Sequence, residues 1–467
     1  MDGLECSEIP FSQIDLGDRY DAEYFAKKYL YISQNLKNVH TETVGKFCDS
    51  VASAFYPAAT QLYSIGDTAF VRCVDCIDFP IITAEQEDRF EKIPYEFGKA
   101  NKGISFLTKG ELVITKVGTP CYTSIIEDYE TVALSRTVLG LSNIKGINPY
   151  YLMVFLRCKY GFEQLYRQRE LTIQYQLTLP RVKAVDIYLA TPEFQEKIRY
   201  MCEQYKELRA KSTDLYSKAE RVLAGELSNF DVPPYNQSAS IKTFQKSFLV
   251  TGRLDAEYYQ PKYEQYAKSL NTNDTVATLC KIHDETFEPA EKENYLYVEL
   301  ADVGKSGEIG GAETILGSEL PTRARRKVKA GQIIVSSIEG SLQSCALIQP
   351  EYDGALCSTG FYVLSSDSIN SETLLILFKS EPIQALMKQR CSGTILMGIT
   401  KDEFLSMPLP KIADETQNQI ASIVRQAFSL RKQSEQLFDY AKRAVELAIE
   451  QGEDAAMAWL KEKGGNG

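Results

Sequence analysis

The chain has 467 residues, 44% of them apolar and 25% charged, which is the length of two to four domains and the composition of a soluble globular protein. Its formal net charge of −11 argues against a protein that coats nucleic acid by bulk charge. Only two histidines are present, His40 and His283, so a histidine-rich zinc site is excluded. The chain has no long apolar run, no signal region and no regular cysteine spacing, which predicts a cytoplasmic protein that does not enter a membrane.

Residues 1–190 are predicted to form a first α+β domain. Apolar runs typical of β-strands occur at Leu112–Thr115, 122–126 and 132–139, and 149–165 has the spacing of a helix.

A long helix is predicted next, over residues 191–228. Apolar residues recur in steps of three and four from Ile198 to Val222, as in a coiled-coil seam of about four heptads. Thr191 and Pro192 are typical of the start of a helix.

The rest of the chain repeats this order. A polar, proline-containing linker is expected at 229–240, a second α+β domain at 241–412, a second long helix at 413–452 and a flexible tail at 453–467. The second domain has strand patterns at Ile333–Ser336 and 361–364 and a helical pattern at 372–387.

Two copies of one unit account for this order. Residues 19–29 recur as 253–263 with seven identities in eleven positions, and 193–221 align without a gap to 415–443. The ends of the copies match closely, whereas their middles differ in length and sequence. This pattern predicts a pseudo-symmetric protein that performs one task twice with different details.

Motifs that would carry catalysis are incomplete. The segment 231–235 resembles the Asn/Asp-Pro-Pro-Tyr signature of adenine amino-methyltransferases, but Val232 replaces the residue that must hold the amine. Gly304-Lys305-Ser306 lacks the first glycine of a phosphate-binding loop, and Cys73 with Cys76 has no second ligand pair for zinc. We therefore predict no catalytic residues, no metal and no cofactor.

Basic residues cluster in equivalent regions of the two copies. Residues 321–331 carry five positive charges and no negative one, and lysines between 99 and 116 approach the same region of the first copy. Any one such cluster could be a solvated face, but the recurrence in both copies favours a nucleic-acid partner, because these side chains neutralise phosphates. The candidate DNA-binding residues are Lys102, Lys109, Lys116, Arg136, Arg169, Thr172, Arg323, Arg325, Arg326, Lys327, Ser337, Arg390 and Thr394.

The pattern resembles the specificity subunit of type I restriction–modification systems. The residues that carry the resemblance are the repeated segment 253–263, the block from Gly393-Thr394 through Pro408-Leu409-Pro410 to Ile420, and in the first copy Thr172 and the segment 179–198.

The resemblance implies a fold of two pseudo-symmetric target-recognition domains joined by two long antiparallel coiled-coil helices. Each domain would read one part of a bipartite site in double-stranded DNA, and the helices would set the distance between the parts. The helices would also dock DNA methyltransferase subunits, two in number, with a restriction endonuclease subunit joining the complex. The subunit itself would be non-catalytic.

Three alternatives remain open from the sequence. The chain could be a scaffold that holds other proteins, or the recognition subunit of a type IIB-like system in which one partner both methylates and cleaves. An enzyme that uses the paired acids Asp21/Glu23 and Asp255/Glu257 is the third, although a structural Arg–carboxylate clamp at the start of each copy explains these acids more simply.

Overall fold

The structure is a computed structural model that describes residues 6–11, 14, 21–169, 176–227, 240–393 and 397–463. The chain forms two units, one made of Met1–Ala210 with Lys432–Gly467 and the other of Lys211–Arg431. The boundary falls inside the two long helices, so each unit consists of one α+β body and a part of both helices. The predicted linker lies outside the described residues except for its last position.

Among its described residues, the first unit has eleven strands and five α-helices before its long helix. The strands are β1 Thr41–Thr43, β2 Asp49–Ala52, β3 Thr68–Val71, β4 Ile81–Ile82, β5 Glu91–Ile93, β6 Phe106–Thr108, β7 Leu112–Thr115, β8 Thr123–Ile126, β9 Thr131–Leu134, β10 Val138–Ser142 and β11 Asp186–Tyr188. The helices are α1 Lys27–Lys37, α2 Tyr95–Ala100, α3 Pro149–Arg157, α4 Lys159–Arg167, α5 Leu179–Lys183 and the long α6 Pro192–Glu226.

The second unit repeats most of this order. Its strands are β12 Lys281–Ile282, β13 Asn294–Val298, β14 Glu313–Leu316, β15 Ala324–Lys327, β16 Ile333–Ser336, β17 Cys345–Leu347, β18 Leu356–Ser358 and β19 Phe361–Ser365. The helices from here to the C-terminus are α7 Phe248–Thr251, α8 Pro261–Ser269, α9 Val276–Leu279, α10 Ser371–Lys379, α11 Glu381–Arg390, α12 Lys401–Leu405, the long α13 Asp414–Gln451 and α14 Glu453–Lys463.

Besides a two-stranded sheet of β1 and β11 in the first unit, each body contains two larger sheets whose strand orders correspond between the units. The helix-side sheet runs β2-β10-β7-β8-β4 in the first unit and β12-β19-β16-β17 in the second. The outer sheet runs β5-β3-β9-β6 in the first and β14-β13-β18-β15 in the second. The duplication read from the sequence is therefore also a duplication of topology, with β4 added in the first unit.

The strands β7 and β16 are apolar throughout because both of their faces are covered. Leu112 and Ile114 pack with the helices, whereas Val113, which points the other way, packs with the outer sheet. In the second unit Ile333 packs with the helices and Ile334 with the outer sheet. Successive strand residues alternate between faces, so a strand between two layers needs an unbroken apolar run.

Three predicted elements are interrupted. The strand expected at 132–139 is two strands, β9 and β10, separated by a turn in which the Ser135 and Thr137 hydroxyls lie 2.7 Å apart. The helix expected at 149–165 is divided at Cys158, whose extended backbone ends α3 and begins α4. Likewise, the helix expected at 372–387 is divided at the extended residue Ser380, which is followed by a proline in the first turn of α11.

The long helices are antiparallel, as predicted, and their ends lie within two residues of the predicted ones. In the first unit the rings of Tyr205 on α6 and Phe438 on α13 lie 5.4 Å apart. In the second unit the Ser212 hydroxyl on α6 donates to the Ala427 carbonyl on α13 at 2.8 Å. Small residues along the seam of α13, such as Ala441 and Ala444, are fully buried and permit this close approach.

The predicted flexible tail at 453–467 is wrong for Glu453–Lys463, which forms α14. Gly452 has a φ of 92° and reverses the chain after α13, a conformation that glycine adopts readily. The helix is anchored because Leu460 is buried and the Glu453 carboxylate accepts hydrogen bonds from the Tyr188 hydroxyl at 2.9 Å and the Thr191 backbone N–H at 2.8 Å. These contacts are distant in sequence and are not visible in the residues of the tail itself.

Candidate nucleic-acid interface

The basic clusters of the two copies lie at the same edge of the outer sheet. In the first unit, Lys102 and Lys109 flank the edge strand β6, and both are exposed. In the second unit, the edge strand β15 itself consists of Ala324–Lys327. Charged side chains on an edge strand also discourage unwanted strand pairing. Their recurrence on equivalent strands is what singles out this edge as a candidate interface.

The four basic residues around β15 differ in their surroundings. The guanidinium of Arg323 donates to Glu299 at 3.0 Å and that of Arg325 to Glu288 at 2.6 Å. Arg326 donates to the Phe361 carbonyl at 2.6 Å and therefore holds the turn between β18 and β19. The exposed Lys327 places its ammonium 5.0 Å from the centre of the Phe287 ring. The charged groups of Arg323, Arg325 and Lys327 thus lie near the surface, the first two in ion pairs, whereas Arg326 is bound to the backbone.

An acidic segment that the sequence reasoning missed lies along β15. The Phe287 backbone N–H donates to the Arg325 carbonyl at 2.7 Å, which brings residues 284–293 against this edge strand. The segment contains five acids and one lysine, and its Glu288 forms the ion pair with Arg325. The positive charge of β15 is consequently balanced by a neighbour that is distant in sequence.

The matching place in the first unit has a different surface. Arg136 is exposed in the turn between β9 and β10, and its guanidinium lies 5.9 Å from the Phe55 ring and 5.1 Å from the Tyr56 ring. Phe55 is 82% exposed. The Ala54 backbone N–H donates to the Gly103 carbonyl at 2.7 Å, which sets this aromatic pair beside Lys102. The structure therefore places the predicted residue Arg136 beside an exposed aromatic ring that the sequence reasoning did not select, with the backbone next to Lys102 alongside.

Three further candidates have mainly local contacts. Lys109 lies 3.9 Å from the carboxylate of Glu127, and Lys116 is half-buried and binds Thr137 and Leu177 through its backbone. The Ser337 hydroxyl donates to the Gly360 carbonyl at 2.8 Å. Thr172 and Thr394 lie outside the described residues.

Two of the predicted DNA-binding residues have little exposed surface, since Arg169 is buried and only 11% of the Arg390 side chain is exposed. Arg169 is 4% exposed, stacks on Tyr166 and donates to the Glu23 carboxylate at 2.9 Å. Arg390 donates to the Leu386 carbonyl at 3.1 Å, and burial lowers the pKa of its guanidinium. In this structure both arginines bind groups of the protein at the ends of α4 and α11.

The repeated acidic motif is a structural clamp in the second unit, as the simpler interpretation predicts. Arg253 forms an ion pair with Asp255 at 2.7 Å and donates to the Cys391 carbonyl at 2.9 Å. The hydrogen bond from Arg253 lowers the pKa of Asp255, and the hydrogen bond from the Tyr263 hydroxyl lowers that of Glu257. Carboxylates held in the ionised form in this way are poor general acids at neutral pH.

The remaining chemical features point to structure. Burial raises the pKa of the thiols of Cys73 and Cys76, which disfavours the thiolates that zinc requires. Within the described ranges, no group of three histidine, cysteine or acidic side chains is arranged to hold a metal ion. The described helices also include none that is both long and apolar enough to span a membrane.

Comparison with known proteins gives similarity to solved structures only, since neither a family model nor a curated protein matches the chain. The alignment with the type I restriction–modification S subunit from M. genitalium spans 90% of this chain and 96% of that subunit, at 11% identity and a TM-score of 0.37. The HsdS subunit from Thermoanaerobacter tengcongensis covers 88% of this chain and 97% of its own at 14% identity, with a TM-score of 0.29. The type IIG restriction endonuclease BpuSI covers 38% of this chain and 28% of its own at 11% identity, with a TM-score of 0.30. S subunits of type I restriction–modification systems, the family that the sequence resembles, are thus among the solved structures similar to this chain.

Proposed function

We propose that this chain is the DNA-recognition subunit of a type I restriction–modification complex that works in the cytoplasm. Each α+β body would read one part of a bipartite target in double-stranded DNA, and methyltransferase and endonuclease subunits would supply the chemistry. One observation carries the proposal: basic residues occupy the same edge of the outer sheet in both copies, while the side chains around them differ.

The physical requirements of such a task agree with this arrangement. Lysine and arginine at the edge strand supply affinity for phosphates that does not depend on sequence. Discrimination between DNA sequences needs particular side chains at the base edges. Two domains that share one fold but recognise different sequences must therefore differ in their loops. The net charge of −11 limits non-specific attraction elsewhere on the chain.

The salt dependence of DNA binding tests the proposal. We expect Lys102→Ala with Lys109→Ala, and separately Arg323→Ala with Lys327→Ala, to weaken binding of random-sequence duplexes. Each lost phosphate contact should lower the slope of log affinity against log salt by about 0.9. Arg326 is left unchanged because its side chain holds the Phe361 carbonyl.

Lys461→Ala with Lys463→Ala is the matched control, since these exposed lysines lie on α14, away from the outer sheet. Wild-type slopes in both edge-strand variants would contradict the proposed interface. A chain that shows no salt-dependent DNA binding would instead be a scaffold for other proteins.

The long helices are proposed to set the spacing of the two half-sites. Half-sites one DNA turn apart are separated by roughly 34–36 Å. Helices of 35 and 38 residues reach about 52 and 57 Å at 1.5 Å per residue. A rigid antiparallel pair of this length is suited to fix such a separation and to offer a surface for the methyltransferase subunits.

An insertion in both helices tests this role. Four residues placed after Ser212 should be matched by four after Leu430, because the Tyr205–Phe438 and Ser212–Ala427 contacts place these positions opposite each other in the antiparallel helices. The insertion adds about 6 Å and nearly one helical turn. We expect sites methylated by the assembled complex to gain about two base pairs of spacer, at roughly 3.4 Å each, with unchanged half-sites. An unchanged spacer with retained methylation would show that the helices do not set it.

A further inference from the structure

Phe55 projects a bare aromatic ring from a rigid backbone. Its side chain is 82% exposed, whereas the next residue, Tyr56, is buried with its ring 5.9 Å from that of Phe70. On the other side, the Ala54 N–H donates to the Gly103 carbonyl at 2.7 Å. Gly103 lies so close that an added Cβ would be 2.1 Å from the Phe55 carbonyl oxygen. The backbone is therefore held in place on both sides of Phe55, while the Phe55 ring itself has few contacts with the rest of the protein.

The guanidinium of Arg136 lies beside this ring. The Arg136 guanidinium lies 5.9 Å from the centre of the Phe55 ring, and the Arg136 backbone N–H donates to the Tyr56 hydroxyl at 3.2 Å. The exposed Lys102 directly precedes Gly103. An exposed apolar ring beside the Arg136 guanidinium suits a ligand that offers both an aromatic face and a nearby anion. A nucleotide in DNA has both.

The fold does not require this exposure, as the equivalent residue of the second unit shows. Asp49 of β2 pairs with Ser142 and Lys281 of β12 pairs with Ser365, and in each copy a phenylalanine follows six residues later. That phenylalanine in the second unit, Phe287, has its ring 5.8 Å from Tyr295 and packs on the outer sheet. Equivalent backbone positions thus hold a half-buried ring in the second unit and an exposed ring in the first.

We propose that Phe55 is a base-stacking residue that enters a base step of the bound DNA, with Arg136 on the adjoining phosphate. This inference rests on the proposed function and identifies a specificity-determining residue within it. Apolar and aromatic side chains inserted between base pairs partly unstack them, and sequence then matters because some steps open more easily than others. The rigid backbone lowers the entropy cost of inserting the ring.

Tryptophan fluorescence provides a direct test. The chain has one tryptophan, Trp459, so Trp459→Phe gives a dark background into which Phe55→Trp is introduced. Labelled duplexes would first be enriched from a random pool by repeated selection on the wild-type chain. We expect these duplexes to quench the fluorescence of the Phe55→Trp variant in parallel with the rise in DNA anisotropy. Tyr200→Trp is the matched control, because Tyr200 is also an exposed aromatic residue beside a lysine but lies on α6.

Affinity gives the second readout. Phe55→Ala should weaken binding of the selected duplex about fivefold to a hundredfold, the range for loss of one stacked base. Tyr200→Ala should leave it unchanged. Normal DNA binding with unquenched fluorescence of the Phe55→Trp variant and an unaffected Phe55→Ala variant would overturn the stacking role and leave the proposed function intact. Failure of the wild-type chain to enrich or bind any duplex would overturn both.

Discussion

The outer sheets of the two units share the same strand order but present different side chains at their surfaces. In both units, the segment after the first strand of the helix-side sheet lies along the outer-sheet edge strand, through the bond from Ala54 to Gly103 in one and from Phe287 to Arg325 in the other. The first unit presents Phe55 and Arg136 there, whereas the second presents acids that pair with arginines. Duplication has preserved the layers and the strand order, and divergence has concentrated where side chains meet solvent.

The attachment of the helices shows what the two units still share. Arg209 on α6 lies 3.5 Å from Glu85 in the first unit, and the equivalent Arg431 on α13 contacts Glu308 in the second. Both arginines are almost fully buried. Each body is thus fixed to its helix by a buried cation and a carboxylate, and a rigid attachment is what a spacer between two readers requires.

The largest predicted effect comes from breaking these attachments separately. We expect Arg209→Ala and Arg431→Ala each to lower the free energy of unfolding of its unit by about 3 kcal/mol, because a carboxylate loses its cation in a largely buried place. Trp459 lies in the first unit, 5.5 Å from Tyr440, so its fluorescence reports urea unfolding of that unit. Arg209→Ala should shift this transition, whereas Arg431→Ala should shift mainly the circular dichroism transition.

Lys461→Ala, on the surface of α14, serves as the control and should shift neither transition. Equal shifts of the tryptophan signal in both arginine variants would mean that the two units unfold as one. Wild-type transitions in both variants would contradict the role assigned to the arginines.

A second contrast concerns Glu127, which accepts hydrogen bonds from Lys206 on α6 at 2.8 Å and from Tyr150 at 2.5 Å. The strand register places Gln349 at the equivalent position of the second unit, and Phe428 takes the place of Lys206. Glu127→Gln should therefore destabilise the first unit by about 1.5 kcal/mol, the scale of a hydrogen bond to a charged group, while Gln349→Glu should gain nothing.

The pH dependence of that loss follows from the Glu127 pKa. Burial alone would raise it, but the hydrogen bonds from Lys206 and Tyr150 outweigh burial and lower it below the ordinary value of about 4.3. The stabilisation is therefore complete above the ordinary value and is lost as the pH falls through the lower folded value. Urea midpoints of wild type and Glu127→Gln should converge in acid, and a gap that widens there would refute this assignment.

The smallest predicted effect concerns the acidic segment beside β15. Glu288 pairs with Arg325 in the free chain and would repel a phosphate approaching it. We expect Glu288→Gln to raise DNA affinity about threefold at low salt, the scale of an exposed ion pair, and to have no effect at high salt. Glu291→Gln makes the same charge change in the same segment without removing that pair. An equal rise in both variants would indicate a general charge effect, and a fall with Glu288→Gln would contradict competition at Arg325.

The sequence by itself determined the duplication, the α+β class and the two long helices, whereas their antiparallel packing was implied by the family resemblance. The limits of β7 and β16 were also predicted correctly. The strands and helices can be predicted from the local spacing of apolar residues. An apolar run fits a strand that is buried on both faces, and a three-and-four spacing fits one face of a helix. They depend on few contacts outside the segment concerned, and for that reason one sequence suffices to predict them.

Tertiary structure alone decided which charged and aromatic residues meet solvent. Arg169 and Arg390 are of a residue type that often contacts DNA. In the structure, however, Arg169 donates to Glu23 and Arg390 donates to the Leu386 carbonyl. Glu288 forms an ion pair with Arg325, which lies 37 positions further along the chain. Phe55 is exposed, although its counterpart Phe287 is half-buried and packs on the outer sheet. Burial and ion pairing depend on neighbours that only folding brings together, and no local pattern encodes them.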